Sequence, residues 1–228
     1  MACIFMFVDH IGYGLIHNYL LAHAMDLMPE QYKDLNTLYE ILHGIGRLAF
    51  PIFAFFIVEG FHRTRSVVKY AIRMLLFGIV SEIPFDIGLF RKVFYWEHQN
   101  IMFTFFIAIL MLSTLKWLES NIWGLSNGVV YFAIVCTIIA FSDAAIMMNM
   151  DYSWKCMLLV SVLYFARSCA PLKLIAGAAA TSWEKYAPIS FILLYFYDPE
   201  KPPKYKYAFY LFYPLNFILI YLVARVVL

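Results

Sequence analysis

Residues 44–65, GIGRLAFPIFAFFIVEGFHRTR, form an apolar stretch long enough to cross a bilayer, yet they include Arg47 and Glu59. An ionisable side chain at membrane depth costs about 2.5 kcal/mol or more, so it usually faces a protein interior and serves a function. Pro51 follows Arg47 by four residues, which predicts a kink one turn past the charge. The stretch predicts a membrane helix with functional charges; the alternative is that both residues only fix helix packing.

The composition of the whole chain predicts an integral membrane protein. Of its 228 residues 64% are hydrophobic and 14% are charged, and the mean hydropathy is +0.75. Soluble proteins contain about 25% charged residues, and apolar segments of about 20 residues account for nearly all of this chain. We therefore predict an all-α, polytopic helical bundle in the lipid bilayer of the cell membrane. It is expected to be a single integral membrane domain over residues 1–228 with about eight or nine transmembrane helices, some kinked or broken.

The number of spans depends on one segment near the C-terminus. Clear spans are predicted at about residues 2–21, 41–61, 67–89, 101–118, 128–147, 154–168 and 207–228. Between the last two, residues 172–182 and 187–197 are separated by Glu184 and Lys185. They form one broken span, a re-entrant element or two short spans. The positive-inside rule favours two, and thus nine spans in all, because three lysines then follow on the cytoplasmic side: Lys201, Lys204 and Lys206.

Charges at the helix ends predict the orientation and exclude some functions. The acidic segment 25–40, read as a loop, is expected outside, and the cluster of Arg63, Arg65 and Lys69 is expected in the cytoplasm. With a net charge of +2 and basic residues spread among loops, the chain has no basic stripe for nucleic acid. The four cysteines lack CxxC or zinc spacing, so no metal site is expected.

The first span carries a polar face that is a candidate for acid–base chemistry. Asp9 and His10 lie near its middle, and His17 follows His10 by seven residues, which predicts that both histidines share one helix face. A histidine at this depth can exchange protons near neutral pH. The alternative is a histidine that is only hydrogen-bonded inside a packed bundle.

Two carboxylates on the third span form a second candidate. Glu82 and Asp86 are one turn apart, and Pro84 between them is expected to kink the helix. The pair could bind a cation, share a proton or meet an arginine of another span, with Arg73 or Arg47 as the expected partner. The alternative is an ordinary helix-end ion pair.

Five motifs occur in order along the chain: VDHIG at 8–12, GRLAFPIFAFFIVEGFHRT at 46–64, SEIPFD at 81–86, QNIMFT at 99–104 and YAFYLFYPLN at 207–216. These residues resemble the TraX family, whose namesake is the membrane acetylase of conjugative pilin, over nearly the whole chain. One position departs from the family pattern. The last motif often reads FYPLH, and Asn216 stands in place of the histidine.

The resemblance implies a membrane acyltransferase. Such an enzyme would move an acyl group, typically acetyl from acetyl-CoA, to an amine or hydroxyl of a peptide or protein acceptor such as a pilin-like or secreted peptide. In this reaction His10 would take the proton of the acceptor, Asp9 would fix the tautomer of His10, and Arg47 would stabilise the oxyanion, with Glu59 orienting these groups.

The same resemblance suggests which residues hold the two substrates. The phosphates of CoA need cations that are reachable from the cytoplasm; the residues expected there are His62, Arg63, Arg65 and Lys69. The residues expected to position the acceptor are Arg73, Glu82, Asp86, Gln99 and Asn100.

Two other classes of protein fit the same features. A proton- or ion-coupled secondary transporter also has broken helices with carboxylates and histidines at depth, although no internal repeat is visible in this chain. A non-enzymatic assembly factor would use the charges only to pair helices. Acyl transfer by the purified protein would distinguish an enzyme from both.

Overall fold

The computed structural model of the protein describes residues 1–121, 126–198, 200 and 206–227. Within these residues the regular structure is helical, without a strand. The helices are α1 Ala2–Ile11, a π-helical segment Gly12–His17, α2 Asn18–Ala22, α3 Pro29–Gly46, α4 Ala49–Arg63, α5 Val67–Phe90, α6 Ile101–Asn121, α7 Asn127–Met147, α8 Ser153–Phe165, α9 Ala170–Ala180, a 3-10 turn Ala187–Ile189, α10 Ser190–Tyr195 and α11 Lys206–Val227. This confirms the predicted all-α class.

Four segments are long and apolar enough to cross a membrane. They are Pro29–Arg63, Ile101–Ser120, Asn127–Met147 and Phe209–Val226, and α8 and α9 are shorter apolar helices. The protein is therefore a helical protein suited to a lipid bilayer. Lys201 and Lys204, which favoured nine spans, lie outside the described residues, as does the side chain of Lys206.

The chain divides into two compact units. Unit 1 comprises Met1–Ile52, Val80–Tyr95 and Ser182–Leu228, and unit 2 comprises Phe53–Ile79 and Trp96–Thr181. Along the sequence, α4 begins in unit 1 and ends in unit 2, whereas α5 begins in unit 2 and ends in unit 1.

In unit 1, glycines allow the first helix to approach its neighbours closely. Helix α1 packs against α3 and α11. A Cβ added at Gly46 would lie only 2.2 Å from the Cβ of Asp9, and one at Gly14 would lie 2.6 Å from Cγ2 of Ile220. Small residues at helix interfaces permit this kind of backbone approach. Gly46 therefore allows a carboxylate of α1 to lie directly against α3.

Unit 2 is built from helices that pack on one another in an apolar core. Helix α6 packs on α7 and α8, and α8 packs on α7 and α9. The core side chains are fully buried, among them Met111, Leu112, Leu115, Met157 and Leu163. One buried polar contact ties the start of α6 to the turn before α8, because Thr104 Oγ1 donates to the carbonyl of Asp151 at 2.7 Å.

The interruption near Arg47 lies earlier than the expected kink. Helix α3 ends at Gly46 and α4 begins at Ala49, so the chain turns at Arg47 and Leu48 themselves. Pro51 falls in the first turn of α4, where its missing N–H would have had no helical acceptor in any case. The helix is thus interrupted at Arg47 itself, one turn before Pro51, and Arg47 stands at the junction of two helices.

The acidic segment 25–40 is largely helical instead of a loop. Helix α3 starts at Pro29, and the side chain of Gln31 accepts the N–H of Met28 at 3.2 Å. Proline at the first helical position and Glu30 in the first turn are typical of a helix start. The helix thus begins twelve positions before residue 41, the expected start of this span.

Candidate functional site

A π-helical segment changes the faces of the two histidines of the first span. The segment Gly12–His17 follows α1 directly. The ring of His10 stacks on Phe217 of α11 at 4.3 Å, whereas the ring of His17 stacks on Tyr39 of α3 at 5.0 Å. The prediction that His10 and His17 share a face is wrong because i to i+5 bonding widens the turn between them. Single π-turns of this kind are frequent at functional sites.

Asp9 pairs with His43 on the adjacent helix. Its Oδ1 lies 2.7 Å from Nδ1 of His43, and the two side chains are 22% and 24% exposed. We expected Asp9 to orient His10, but consecutive side chains of a helix do not face each other. Gly46, one turn after His43 on α3, leaves the space that the carboxylate occupies.

Arg47 extends this pair into a chain of four side chains. Its Nε lies 3.1 Å from Nε2 of His43, and its Nη2 contacts the same nitrogen. Because guanidinium groups only donate, Nε2 is the acceptor, and the ring hydrogen of His43 is on Nδ1, directed at Asp9. Nε of Arg47 is also 3.7 Å from Oε2 of Glu184. Asp9, His43, Arg47 and Glu184 form what we call the α3 polar chain.

His10 has a partner on the last helix. Its Nδ1 lies 2.6 Å from Oδ1 of Asn216. Asn216 is buried, and its Nδ2 donates to the carbonyls of Phe212 at 3.1 Å and Tyr213 at 2.5 Å. The structure therefore places His10, a predicted base, in contact with Asn216 and against the ring of Phe217.

Glu59 lies in unit 2 between two cations. Its Oε1 is 2.9 Å from Nζ of Lys173, and its Oε2 is 3.2 Å from Nη2 of Arg63 on the next turn of α4. The side chains of Lys173 and Glu59 are only 13% and 17% exposed. An ion pair of this geometry fixes the ends of α4 and α9 against each other.

Further cations gather near the same end of α4. His62 stacks on the ring of Tyr164 at 5.3 Å, and the Tyr164 hydroxyl donates to Glu119 at 2.6 Å. Arg167 lies over the Tyr164 ring at 4.3 Å and bonds to Glu119 at 3.2 Å. Lys116 lies 5.9 Å from the centre of the Phe61 ring. We define the unit 2 basic cluster as four cations: Arg63, Lys116, Arg167 and Lys173.

The predicted donor-binding residues are only partly in this cluster. Arg63 belongs to it, and His62 stacks on its central tyrosine. Arg65 lies in the turn between α4 and α5 and Lys69 in the first turn of α5, and both side chains are exposed. Their proposed role as contacts of CoA stays a prediction.

The carboxylates of α5 differ in exposure. Asp86 is 1% exposed, and its Oδ2 accepts the backbone N–H of Tyr95 at 2.8 Å. Glu82 is partly exposed. Arg73 is in the part of α5 that belongs to unit 2. Its guanidinium carbon, Cζ, lies 5.9 Å from the centre of the Tyr70 ring. The expected ion pair between these carboxylates and an arginine stays a prediction.

Gln99 and Asn100 serve as structural connections in unit 2. The backbone of Gln99 bonds to Asn149 and Asp151, at 2.9 and 3.1 Å. Asn100 is fully buried; it donates to the carbonyl of Gly78 at 2.9 Å and accepts the N–H of Met102 at 3.0 Å. These bonds fix the start of α6, and a role in positioning the acceptor stays a prediction.

Sequence reasoning missed two members of the α3 polar chain. His43 is one helical turn before Arg47, and this i, i+4 spacing was a usable signal. Glu184 lies in the polar break between the apolar segments 172–182 and 187–197, and nothing in the sequence links it to Arg47. Across residues 1–121, 126–198, 200 and 206–227, no group of three or more His, Cys, Asp or Glu side chains could hold a metal ion.

These features define a helical membrane protein in which histidines, carboxylates and an arginine are bonded to one another inside apolar helices. The chain belongs to the TraX protein family, whose sequence profile matches residues 1–224, and this confirms the resemblance. A segment of 81 residues is 38% identical to the probable fimbrial assembly protein FimC, serogroup H1, of Dichelobacter nodosus. The match covers 32% of this chain and 33% of the relative, which is about a third of each protein. No solved structure matches the chain.

Proposed function

We propose that the protein is a membrane acyltransferase that moves acetyl from acetyl-CoA to an amine or hydroxyl of a fimbrial or pilin-like subunit, with His10 as the general base. The observation that carries the proposal is the position of His10, held by Asn216 at 2.6 Å and stacked on Phe217 within an apolar helical unit. Membership of the TraX family and the fimbrial assembly name of a relative support the choice of acceptor.

The reaction forms one bond and breaks one bond. The acceptor nitrogen or oxygen attacks the thioester carbonyl, the C–S bond breaks, and CoA leaves as the thiolate. His10 takes the acceptor proton and returns it to the thiolate. Arg47 is the proposed cation for the oxyanion that forms in between. Its contacts with His43 and Glu184 would hold its guanidinium in one orientation.

The unit 2 basic cluster is the proposed site for the phosphates of the donor. Charge-assisted bonds from arginine and lysine to phosphate are among the stronger polar contacts in proteins. Four cations face two carboxylates there, Glu59 and Glu119, so the cluster keeps a net positive charge. In this proposal Glu59 positions Lys173 and Arg63, and exposed Arg65 and Lys69 add further positive charge.

The same proposal includes the orientation in the cytoplasmic membrane. The cluster would face the cytoplasm, since the ends of α4, α6 and α8 and the start of α9 carry its cations.

We propose nine crossings, but α9 has 11 residues and α10 has 6, and each alone is too short for about 30 Å of hydrocarbon. A cysteine at Glu200 tests the count. It is labelled from outside in intact cells if residues 170–195 cross once, and it is protected if they cross twice.

The activity is tested with purified protein, labelled acetyl-CoA and a fimbrial subunit peptide. His10→Ala should lower the rate of acetyl transfer by about 10²- to 10⁴-fold, the usual contribution of a general base. The matched control is His23→Ala, because His23 stacks on Tyr19 of its own turn at 4.4 Å. Full transfer by folded His10→Ala protein would contradict the assignment of the base. Absence of transfer by the wild type to every amine and hydroxyl acceptor would contradict the enzyme class.

A further inference from the structure

The amide group of Asn216 can adopt only one orientation. Its Nδ2 lies 3.1 Å from the carbonyl oxygen of Phe212 and 2.5 Å from that of Tyr213. Carbonyl oxygens only accept, so the NH₂ group must face them. The amide oxygen of Asn216 must then face His10, whose Nδ1 is 2.6 Å away. This oxygen has no hydrogen, so the hydrogen between the two atoms belongs to Nδ1 of His10.

We infer that Asn216 is a positioning residue that holds neutral His10 in the Nδ1–H tautomer. The lone pair of the ring is then on Nε2, and Nε2 is the nitrogen that takes the proton. The tautomer follows from the hydrogen bonds alone, whereas the positioning role rests on the proposed function. Asn216 would act through His10 and would not touch the substrates.

One face of α11 fixes both the tautomer and the position of the ring. Tyr213, Asn216 and Phe217 are three and four residues apart, so they lie on the same helix face. Phe217 stacks on the His10 ring at 4.3 Å, and Tyr213 meets it edge-on at 6.4 Å. Because Asn216 is 3% exposed, water cannot readily replace its oxygen as the acceptor. A rotated ring would present a C–H to the amide oxygen and lose the bond.

The bond to Asn216 also favours the step itself. When Nε2 takes a proton from the acceptor, the imidazole becomes a cation with hydrogens on both nitrogens. Nδ1 keeps its bond to Asn216, and this bond strengthens because its donor is now charged. His43 has its hydrogen on the same ring nitrogen, but its Nε2 accepts from Arg47. His43 therefore provides an internal reference in the same protein.

The tautomer is measured by NMR on the full chain in detergent, labelled with ¹⁵N at histidine only. The protein has six histidines, and the His10 signals are assigned by their loss in His10→Gln. The spectra are recorded at about pH 9, above the ordinary imidazole pKa of ~6.5, so that the rings are neutral. Couplings between ring nitrogens and carbon-bound protons then identify which nitrogen carries the hydrogen.

We expect the Nδ1–H tautomer for His10 in the wild type. In Asn216→Leu the Nε2–H tautomer should appear, while the signals of His43 stay unchanged. An Nε2–H tautomer in the wild type would overturn the inference, and so would an unchanged tautomer in folded Asn216→Leu. If Asn216→Leu does not fold, the wild-type spectrum still decides which nitrogen of His10 carries the hydrogen.

The positioning role has its own measurement. The net stabilisation by one hydrogen bond corresponds to a shift of about 2- to 13-fold in a tautomer equilibrium. We therefore expect kcat of Asn216→Leu to fall by about that factor, with KM unchanged. An unchanged kcat in Asn216→Leu would overturn the role. If the wild type transfers no acyl group, the proposed function fails, but the tautomer result stands independently.

Discussion

Gly46→Ala tests whether the contact between α1 and α3 holds the Asp9–His43 pair. The added Cβ would lie 2.2 Å from the Cβ of Asp9 and 2.5 Å from its Oδ1. Ordinary contact begins at 3.4 Å, so the two helices must separate by about 1.2 Å at this point. The Asp9–His43 distance of 2.7 Å would then grow toward about 3.9 Å, beyond hydrogen-bond range.

The expected loss follows from two terms. Overpacking of a tight interface costs about 1–3 kcal/mol, and loss of a hydrogen bond to a charged group costs about 1.5–3 kcal/mol. The free energy of unfolding of Gly46→Ala should therefore fall by about 2.5–6 kcal/mol. It is measured by circular dichroism in mixed micelles as the fraction of denaturing detergent increases.

Gly128→Ala is the matched control because nothing lies within 4 Å of a Cβ at that position in α7. Both variants replace a helical glycine by alanine, so the gain in helix propensity is common to them. The free energy of unfolding of Gly128→Ala should lie within about 0.5 kcal/mol of the wild-type value. If Gly46→Ala unfolds at the same detergent fraction as Gly128→Ala, the close contact between α1 and α3 is refuted.

Three other changes test separate contacts. A double-mutant cycle of Asp9→Ala and His43→Ala should give a coupling of about 1.5–3 kcal/mol in unfolding free energy, and a value near zero would refute the bond. Tyr164→Phe removes the hydroxyl that Glu119 accepts and should lower the unfolding free energy by about 0.5–1.5 kcal/mol; an unchanged value would show that the bond is not needed. Arg65→Cys should resist labelling from outside in intact cells, and ready labelling would reverse the proposed orientation.

The helices could be predicted closely from the sequence because apolar windows of the right length are rare outside membrane spans. The window at 67–89 corresponds to α5 Val67–Phe90, and that at 128–147 to α7 Asn127–Met147. The start of α3 was missed because its first turns are polar, and their helical signals, Pro29 and Glu30, are local rather than hydrophobic. Hydropathy therefore indicates where an apolar helix lies in the chain but not at which residue that helix begins.

The pairing of side chains was predicted less well than the helices that carry them. Regular helix geometry placed His10 and His17 on one face, and the π-helical segment between them changed the register. Asp9 was assigned to its neighbour in sequence, although its partner is on another helix. Only a partner one turn away, such as His43 for Arg47, can be read from spacing. A partner such as Glu184 depends on how distant segments pack.

His10 and His43, which both lie in unit 1, differ in what their removal leaves behind. His43 lies between Asp9 and Arg47, so its loss leaves a carboxylate and a guanidinium without their common partner inside the bundle. His10 bonds to the neutral amide of Asn216, and a neutral acceptor that loses its donor costs less than an unpaired charge. A fall in activity after replacement of His43 would therefore include a loss of stability, whereas a fall after replacement of His10 would report mainly on proton transfer. Activity measured at equal amounts of folded protein is thus the quantity that separates a base from a structural histidine in this site.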